Sequence, residues 1–432
     1  MIEVEFLSKL TPARRAKILS RSMDDVSSTM AATAEILARL KAEPEAELAR
    51  EYGRLKPGFT VADIPVPKAE IEGAFKVVPA EVIEALKVAA ANILKFHQAQ
   101  MERAMWMEEF RPGLIAGRLT RPLDRVGVYI PGGRAAYPSS ALMNIIPARA
   151  AGVPHIVACS PPGPDFKVHP EILVAASLAG AHSIHKLGGA WAVGSMAYGL
   201  GGVPRVDKIV GPGSAWVTAA KMSVFGQVDI DMPAGPSEGF IIAGGDPEPP
   251  AEWLAWDLLS QLEHDPLAAA VLVTTSPKLA GEVAAVAARE LPHMDRLEIV
   301  RESLKNGAAI LVADSLEQAF DFANEYAPEH LQLVLPDPFS HLGKVRHAGS
   351  VFLGPCAPIA AGDYATGPNH VLPTGTAARM FSGLSTDSFM KKITFQHLSR
   401  EALDALAPAA ATLARAEGLT AHAKAVEIRK MI

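Results

Sequence analysis

The distribution of apolar and polar residues divides the chain into three parts. Residues 20–105 carry apolar side chains at helical spacing, and Pro-rich turns at 57–67 interrupt the run. From Val126 onwards, short apolar runs alternate with helical segments, and Gly or Pro marks the end of each run. The tail from Asp387 has a helical apolar stripe. The pattern predicts a helical beginning, a central α/β region and a helical tail.

Two series of buried strands are predicted in the central region, with helices between them. The first series of strands is predicted at 126–130, 156–159, 183–187 and 207–210. The second series is predicted at 239–243, 270–275, 308–313, 331–335 and 350–353. Helices are predicted at about 139–151, 169–180, 190–199, 214–226, 250–264, 277–291 and 315–327. Such alternation implies parallel sheets covered on both faces. We therefore predict an α/β fold with two Rossmann-like parallel-sheet domains of similar design, plus small helical N- and C-terminal segments.

Composition supports a folded globular protein and excludes several other classes. The chain has 432 residues, 49% of them apolar and 20% charged, with a net charge of -6 that is not gathered into blocks. Nothing resembles the basic face of a nucleic-acid-binding protein. No stretch approaches the roughly 18 uninterrupted apolar residues that a membrane span needs, and the N-terminus lacks a signal-peptide core. Cys159 and Cys356 lie in apolar segments, which predicts buried, inert thiols and a reducing cytoplasm.

Polar residues that suit a metal or proton transfer stand at two helix ends. Gln261 and His264 are three residues apart on a helix predicted to end before Pro266, so they project from one face. They could hold a metal, or His264 could simply favour the end of the helix dipole. Glu329 and His330 lie where a helix passes into a strand, and such a pair can activate water and accept protons. Adjacent residues of an extended segment point to opposite sides, so a solvated helix end is the alternative.

Loop residues supply further candidates. Asp363 and His370 lie in a segment rich in Gly, Pro and Asn, which predicts a loop of the kind that carries binding groups in α/β folds. The turns at 131–133 and 211–214 would let the backbone approach a phosphate at a helix start. Neither turn fits the pattern G-x-G-x-x-G, and tight turns alone would explain both.

Taken together, these segments resemble the histidinol dehydrogenase family. The resemblance extends from about residue 70 to the end and is weak over the first 60 residues. The most specific stretches are 126–133, 231–238, 258–264, 326–331 and 362–374. The family oxidises L-histidinol twice with NAD, through L-histidinaldehyde to L-histidine, in the last steps of histidine biosynthesis.

Site residues follow from the resemblance, position by position. It implies that Zn²⁺, one per subunit, is held by Gln261, His264, Asp363 and His422. Glu329 and His330 correspond to the catalytic pair, with Glu329 activating water and His330 accepting the hydroxyl proton. The resemblance also implies that the substrate contacts His330, the four zinc ligands and three further positions, Ser237, His370 and Glu417.

The NAD side departs from the family pattern. Tyr129 matches a family NAD contact, whereas Trp191 stands where the family usually has Gln, and Ser214 where it usually has Asn. Trp can stack on a cofactor ring but cannot accept a hydrogen bond. Two alternatives follow: a dehydrogenase of the same fold that acts on another small amino or polyol alcohol, and a non-catalytic homologue that binds a metal or metabolite.

Domain organisation and assembly complete the expectations. The predicted boundaries are an N-terminal helical segment at 1–24, a first α/β domain at 25–128 and 238–380, a second α/β domain on the NAD side at 129–237, and a tail at 381–432. A tail of this size cannot bury a core alone. The resemblance implies an intertwined cytoplasmic homodimer in which Glu417 and His422 complete the partner's site.

Overall fold

The computed structural model of the chain describes residues 2–21, 27–132, 136–232 and 235–431. Its strands are β1 Val4–Phe6, β2 Met105–Arg111, β3 Leu114–Pro122, β4 Arg125–Tyr129, β5 His155–Ser160, β6 Ser183–Lys186, β7 Lys208–Val210, β8 Asp229–Ile230, β9 Glu238–Ala243, β10 Ala269–Thr274, β11 Ala308–Val312, β12 His330–Val334, β13 Ser350–Leu353 and β14 Met390–Leu398. Its α-helices are α1 Pro12–Ser20, α2 Ser27–Ala42, α3 Pro44–Tyr52, α4 Lys68–Val77, α5 Ala80–Ala99, α6 Pro138–Ala150, α7 Pro170–Ala179, α8 Gly189–Tyr198, α9 Ala215–Val224, α10 Ala251–Leu262, α11 Pro277–Glu290, α12 Leu297–Gly307, α13 Leu316–Tyr326, α14 Ile359–Tyr364, α15 Arg400–Ala416 and α16 Thr420–Glu427.

These elements fall into two compact units, which are described separately. Unit 1 comprises Met1–Gln100 and Asp124–Phe389, and unit 2 comprises Met101–Leu123 and Met390–Ile432. Both parallel sheets belong to unit 1. The predicted class, α/β with two parallel sheets, is therefore confirmed, while the predicted domain boundaries remain a prediction.

The larger parallel sheet of unit 1 has the strand order β1-β11-β10-β9-β12-β13. Its strands alternate between two buried faces, as the period of two in a strand requires. Ile241, Leu272 and Ile310 pack against apolar side chains of α10, α11 and α12. Phe240 and Leu311 pack on the opposite face, against α13 and α1. Because both faces are buried, the strands consist of nearly continuous apolar runs.

A second parallel sheet of unit 1 has the order β6-β5-β4-β7-β8. Its core includes Val157 and Ile209 from the strands and Val193 and Met196 from α8. Leu40 of α2 joins the same core, so this early helix covers the second sheet. The helices predicted near the start of the chain thus include one that packs against the second sheet, a partner that the sequence did not identify.

Unit 2 is built on an antiparallel sheet in the order β14-β3-β2. Met390–Leu398 pairs along its whole length with Leu114–Pro122. The prediction of a wholly helical tail is therefore wrong at this strand, although α15 and α16 follow it. Strand pairing decided the conformation, because a partner more than 260 residues earlier supplies the backbone hydrogen bonds.

Three smaller expectations also change. Residues 1–24 were predicted as helical. They contain the helix α1 but also the strand Val4–Phe6, which pairs with β11. Cys159 is buried as predicted, whereas Cys356 is exposed in the loop after β13, so the expectation of a buried thiol is wrong there. Among the described helices, none is long and apolar enough to cross a bilayer.

Candidate active site

A cavity of about 380 Å³ lies between the two parallel sheets of unit 1. One wall comes from the amino ends of strands in the larger sheet and includes Ser237, Glu329 and His330. The opposite wall comes from loops at the carboxyl ends of strands in the second sheet and includes Pro131 and Ser214. His264, Asp363 and His370 also line the cavity. The fold therefore gathers candidate residues from segments far apart in the sequence.

Glu329 and His330 are aimed by the turn between α13 and β12. Ala327 has a left-handed backbone with φ of 52°, which ends α13 and turns the chain before Pro328. The Glu329 carboxylate accepts a hydrogen bond from the backbone N–H of Glu238 at 2.7 Å. His330 Nδ1 lies 3.0 Å from the backbone oxygen of Glu238 and 3.4 Å from Glu329 Oε2. Both side chains consequently meet the same residue of the neighbouring strand, and the alternative of a solvated helix end is excluded by their burial.

This geometry selects a tautomer for His330. Because a carbonyl oxygen only accepts hydrogen bonds, Nδ1 carries the proton that it donates to Glu238. Nε2 is buried without a hydrogen-bond partner and lies 3.3 Å from Asp363 Oδ1. In the neutral form of His330, the unprotonated nitrogen is therefore Nε2 beside the cavity, and a general base requires such a free nitrogen.

Burial and neighbouring charges shift the pKa values in this cluster. Burial raises the pKa of Glu329, against the opposing effect of His330. Burial alone would lower the pKa of His330, but the carboxylates of Glu329 and Asp363 outweigh it and raise that pKa well above its usual value. Burial would likewise raise the pKa of Asp363, yet His330 and the nearby imidazoles lower it. The cluster therefore favours an ionised Asp363 beside a protonated His330, which must release a proton before its imidazole can act as a base.

Several donors suited to a metal lie at the same wall. Gln261 Oε1 is buried and has no hydrogen-bond partner. A Cβ on Gly239 would come within 2.6 Å of Gln261 Cγ, so the missing side chain there allows Gln261 to cross the strand. Burial lowers the pKa of His264, which keeps its imidazole neutral and able to ligate. An unpaired amide oxygen, a neutral imidazole and the Asp363 carboxylate fit a divalent cation such as zinc.

The described residues of unit 1 do not form a complete set of metal ligands. Within the described part of the chain, no group of three or more His, Cys, Asp and Glu side chains is arranged to hold a metal. His422 and Glu417 belong to unit 2, where both are exposed and line a groove with Leu413 and Ala425. A metal bound at this wall would therefore need a further ligand besides Gln261 and the groups of the cavity wall.

The opposite wall is held by a buried ion pair. Lys221 pairs with Asp231, and its ammonium also donates to the Gly211 carbonyl at 3.0 Å. Asp231 in turn accepts from the Gly211 N–H at 2.8 Å. Gly211 has φ of 117°, and a Cβ there would lie 2.1 Å from the Tyr129 carbonyl oxygen. Only glycine fits this close approach. After Gly211 the chain continues to Ser214 and the start of α9.

Of the residues predicted to contact NAD, Tyr129 lies in the apolar core of the second sheet and Trp191 packs against it, partly buried. The Tyr129 hydroxyl accepts from the Gly189 N–H at 3.3 Å, and the Trp191 indole N–H donates to Glu47 at 3.2 Å. Trp191 packs against the core of the second sheet. Gly133, Pro233 and Ala234, which belong to the motifs singled out in the sequence, lie outside the described residues.

Other cavity residues escaped the sequence analysis. Tyr137, Ser139 and Ser140 line the cavity at the start of α6, and Thr374 lines it from the loop after His370. Pro138 followed by two serines is a typical helix start and was an available signal. Thr374 Oγ1 accepts from the Gly235 N–H at 2.6 Å, a contact across 139 residues that no local pattern reveals.

Comparison with known proteins finds relatives that match nearly the whole chain. A model of the family described as histidinol dehydrogenase matches residues 19–430, so the likeness begins well before residue 70. The chain is 48% identical to the histidinol dehydrogenase of Methanothermobacter thermautotrophicus over 416 residues, covering 96% of this chain and 97% of that protein. It is 45% identical to that of Methanosarcina barkeri over 425 residues, covering 98% and 96%. The crystal structure of histidinol dehydrogenase from Elizabethkingia anophelis superposes with a TM-score of 0.92 at 36% identity, covering 99% of this chain and 98% of that one. This chain belongs to the histidinol dehydrogenase family.

Proposed function

We propose that this protein oxidises L-histidinol to L-histidine through L-histidinaldehyde, transferring one hydride to NAD in each of two steps. The observation that carries the proposal is the buried Glu329–His330 pair, which is oriented by Glu238 and opens onto the cavity. Family membership indicates NAD as the oxidant and histidine biosynthesis as the pathway. The proposal requires one proton acceptor and one source of activated water, and the pair offers both.

His330 acts as the base in both oxidations. Its Nε2 takes the hydroxyl proton of L-histidinol as the hydride leaves the adjacent carbon, which produces the aldehyde, NADH and a proton. Glu329 then withdraws a proton from the water that adds to the aldehyde carbon, while His330 returns its proton to the aldehyde oxygen, which gives the hydrate and frees Nε2. A second NAD replaces the NADH. His330 accepts a hydroxyl proton of this hydrate as the second hydride leaves, which yields the carboxylate of L-histidine. The contact of His330 Nδ1 with the Glu238 oxygen makes Nε2 the nitrogen that accepts the proton in each oxidation.

We propose further that Gln261, His264, Asp363 and His422 hold zinc. The unpaired Gln261 Oε1 and the neutral His264 support this assignment within unit 1. Zinc bound there would orient the substrate through its imidazole and amino nitrogens and supply positive charge beside Asp363. His370 is held by a contact of its Nδ1 with the Asp363 carbonyl at 2.7 Å, and together with Ser237 and Glu417 it contacts the substrate.

His422 and Glu417 act in the partner's site of a homodimer. Unit 2 exposes large apolar side chains along its sheet, among them Met105, Met107 and Phe110. Such a surface on a small unit is typical of one that is covered in an assembly. Its groove beside His422 is apolar on most sides. We therefore propose that the tail reaches a second copy of this chain and supplies the ligand that unit 1 lacks.

Incubation of the purified protein with L-histidinol and NAD tests the proposed activity. We expect two NADH for each L-histidinol consumed, with L-histidine as the product. One NADH for each substrate would limit the protein to the alcohol oxidation. No NADH with L-histidinol, but activity on another small alcohol, would overturn the substrate assignment, and inactivity on all of them would favour a non-catalytic homologue.

A further inference from the structure

Arg21 follows the first helix and is buried against the site. Its guanidinium donates to the Glu238 carboxylate at 2.6 Å, and both side chains are only 1% exposed. It also donates to the backbone oxygens of Tyr326 at 2.8 Å and Ala327 at 3.2 Å, and lies 3.5 Å from the centre of the Tyr326 ring. Buried ion pairs are costly to desolvate and stabilise a fold weakly. The stability of the fold therefore gives little reason for this pair.

Glu238 gives the pair a connection to the chemistry. Its backbone N–H holds the Glu329 carboxylate, and its backbone oxygen holds His330 Nδ1. Its side chain meanwhile accepts from Arg21 and from the Gly375 N–H at 2.6 Å. The residue that orients both members of the catalytic pair is thus itself held in place by Arg21.

The second connection is the turn that carries the pair. The carbonyls of Tyr326 and Ala327 belong to the end of α13, where helix carbonyls lack partners within the helix. Arg21 satisfies both of them, and Ala327 has the left-handed backbone that sends the chain into Glu329. A planar guanidinium can serve these carbonyls and a carboxylate at once, which a lysine ammonium does less well.

We propose that Arg21 is a positioning residue, which aligns Glu329 and His330 by holding the 326–327 turn and Glu238 in one arrangement. This proposal rests on the proposed function, since the alignment of Glu329 and His330 affects catalysis only if this pair performs the oxidations. The inference gives a role to the N-terminal segment, in which the sequence shows no chemistry. Arg21 touches neither substrate nor cofactor in this role, and acts only through the two segments it joins.

Three variants and one control test the inference. Arg21→Met removes the donors, Arg21→Lys keeps the charge, and Glu238→Gln keeps the side chain's size and the backbone contacts while removing the ion pair. Arg14→Met is the control, because it breaks a half-buried pair of the same segment, Arg14 with Glu5 at 2.7 Å. Steady-state kinetics with L-histidinol and NAD are measured for each variant and normalised to the folded fraction from circular dichroism.

We expect kcat for Arg21→Met to fall by about 100-fold, because displacement of a catalytic group by about 1 Å has that effect. KM for L-histidinol and for NAD should change by less than about threefold, since neither ligand contacts Arg21. Arg21→Lys should recover part of kcat, Glu238→Gln should lower it by about tenfold, and Arg14→Met should leave it unchanged.

A purely structural role predicts a different outcome. It would lower the melting temperature while leaving kcat per folded subunit at the wild-type value in Arg21→Lys and Glu238→Gln, and that result would overturn the inference. These two variants also decide the matter if Arg21→Met does not fold. An inactive wild type would instead refute the proposed function, which the same assay detects before any variant is compared.

Discussion

The two parallel sheets present opposite edges to the same cavity, and the two edges carry different chemistry. The larger sheet offers the amino ends of its strands, where Glu238 begins β9 and His330 begins β12. The second sheet offers carboxyl ends, where Gly211 and Ser214 follow β7. Buried charged and polar side chains dominate the first edge, whereas Gly, Pro and Ser dominate the second. Sheets of similar design thus serve the site in different ways.

Helix direction gives a physical reason for the division. Helices end just before the amino edge, as α10 does before His264 and α13 does before Glu329, and helix C-termini favour positive charge. Helices begin just after the carboxyl edge, as α6 and α9 do, and helix N-termini favour anions. The first edge therefore suits a metal, a protonated imidazole and the substrate's amino group. The second suits an anion, and we propose that the pyrophosphate of NAD binds there, although neither edge has a G-x-G-x-x-G turn.

The largest effect is expected where the amino edge loses its proposed metal. His264→Asn or Asp363→Asn should abolish zinc binding and activity together while the fold persists, because the ligands act as a set. Metal analysis of the purified variants and NADH formation measure the two losses. Their affinity for NAD should stay near that of the wild type. Full zinc occupancy in a variant would remove that residue from the ligand set.

Mixed dimers extend this test to the tail. His422→Asn and His264→Asn are each expected to be inactive alone, but a mixed dimer can place both changes in one site and leave the other intact. Co-refolding equal amounts should restore up to roughly a quarter of wild-type activity, since about half of the dimers are mixed and each has one complete site. If heterodimers form and no activity returns, the tail closes the site of its own subunit.

Next in size are the effects on the proton-transfer residues. His330→Asn should lower kcat for both oxidations by about 10²- to 10⁴-fold, as expected for removal of a general base. Glu329→Gln should impair aldehyde oxidation more than alcohol oxidation, because only the aldehyde step consumes water. The two half-reactions are measured separately, starting from L-histidinol and from the aldehyde. Equal losses in Glu329→Gln would contradict the division of labour.

A moderate effect is expected at the carboxyl edge. Lys221→Met removes the cation that holds Asp231 and the Gly211 carbonyl, so the loop before Ser214 loses its support. KM for NAD should rise by about tenfold, which corresponds to about 1.4 kcal/mol, while KM for L-histidinol stays nearly constant. Ser214→Asn, which introduces the residue usual in the family, should lower KM for NAD. A rise confined to the KM for L-histidinol would contradict the assignment of this edge to NAD.

An effect of similar size is expected from a single methyl group. Gly239→Ala places a Cβ 2.6 Å from Gln261 Cγ and should displace this proposed ligand, which lowers zinc affinity by about tenfold. Gly281→Ala is the matched control, because no atom lies within 4 Å of its added Cβ. Competition with a chelator measures both affinities. Equal zinc affinity in both variants would show that the position of Gln261 across β9 does not affect zinc binding.

Comparison of the two units shows where the local sequence pattern was enough to predict the strands. The predicted strands of unit 1 were found within one or two residues, for example 239–243 against Glu238–Ala243, because buried parallel strands are continuous apolar runs between turn residues. In unit 2, β14 and β2 are largely exposed and lack that signal. Their conformation depends on pairing with β3, so the periodicity of the tail indicated only its helices.

The sequence by itself determined the family, the α/β class and the identities of the residues offered as catalytic, metal and substrate groups, because these depend on local motifs and their order. The tertiary structure alone decided how they are oriented. Glu238 lies 91 residues before Glu329 and 217 residues after Arg21, yet strand register and the end of α1 bring all three together. Which nitrogen of His330 is free, and which buried oxygen lacks a partner, likewise follow from these long-range contacts. No local pattern encodes them, since each contact joins segments that lie far apart in the sequence and meet only in the folded structure.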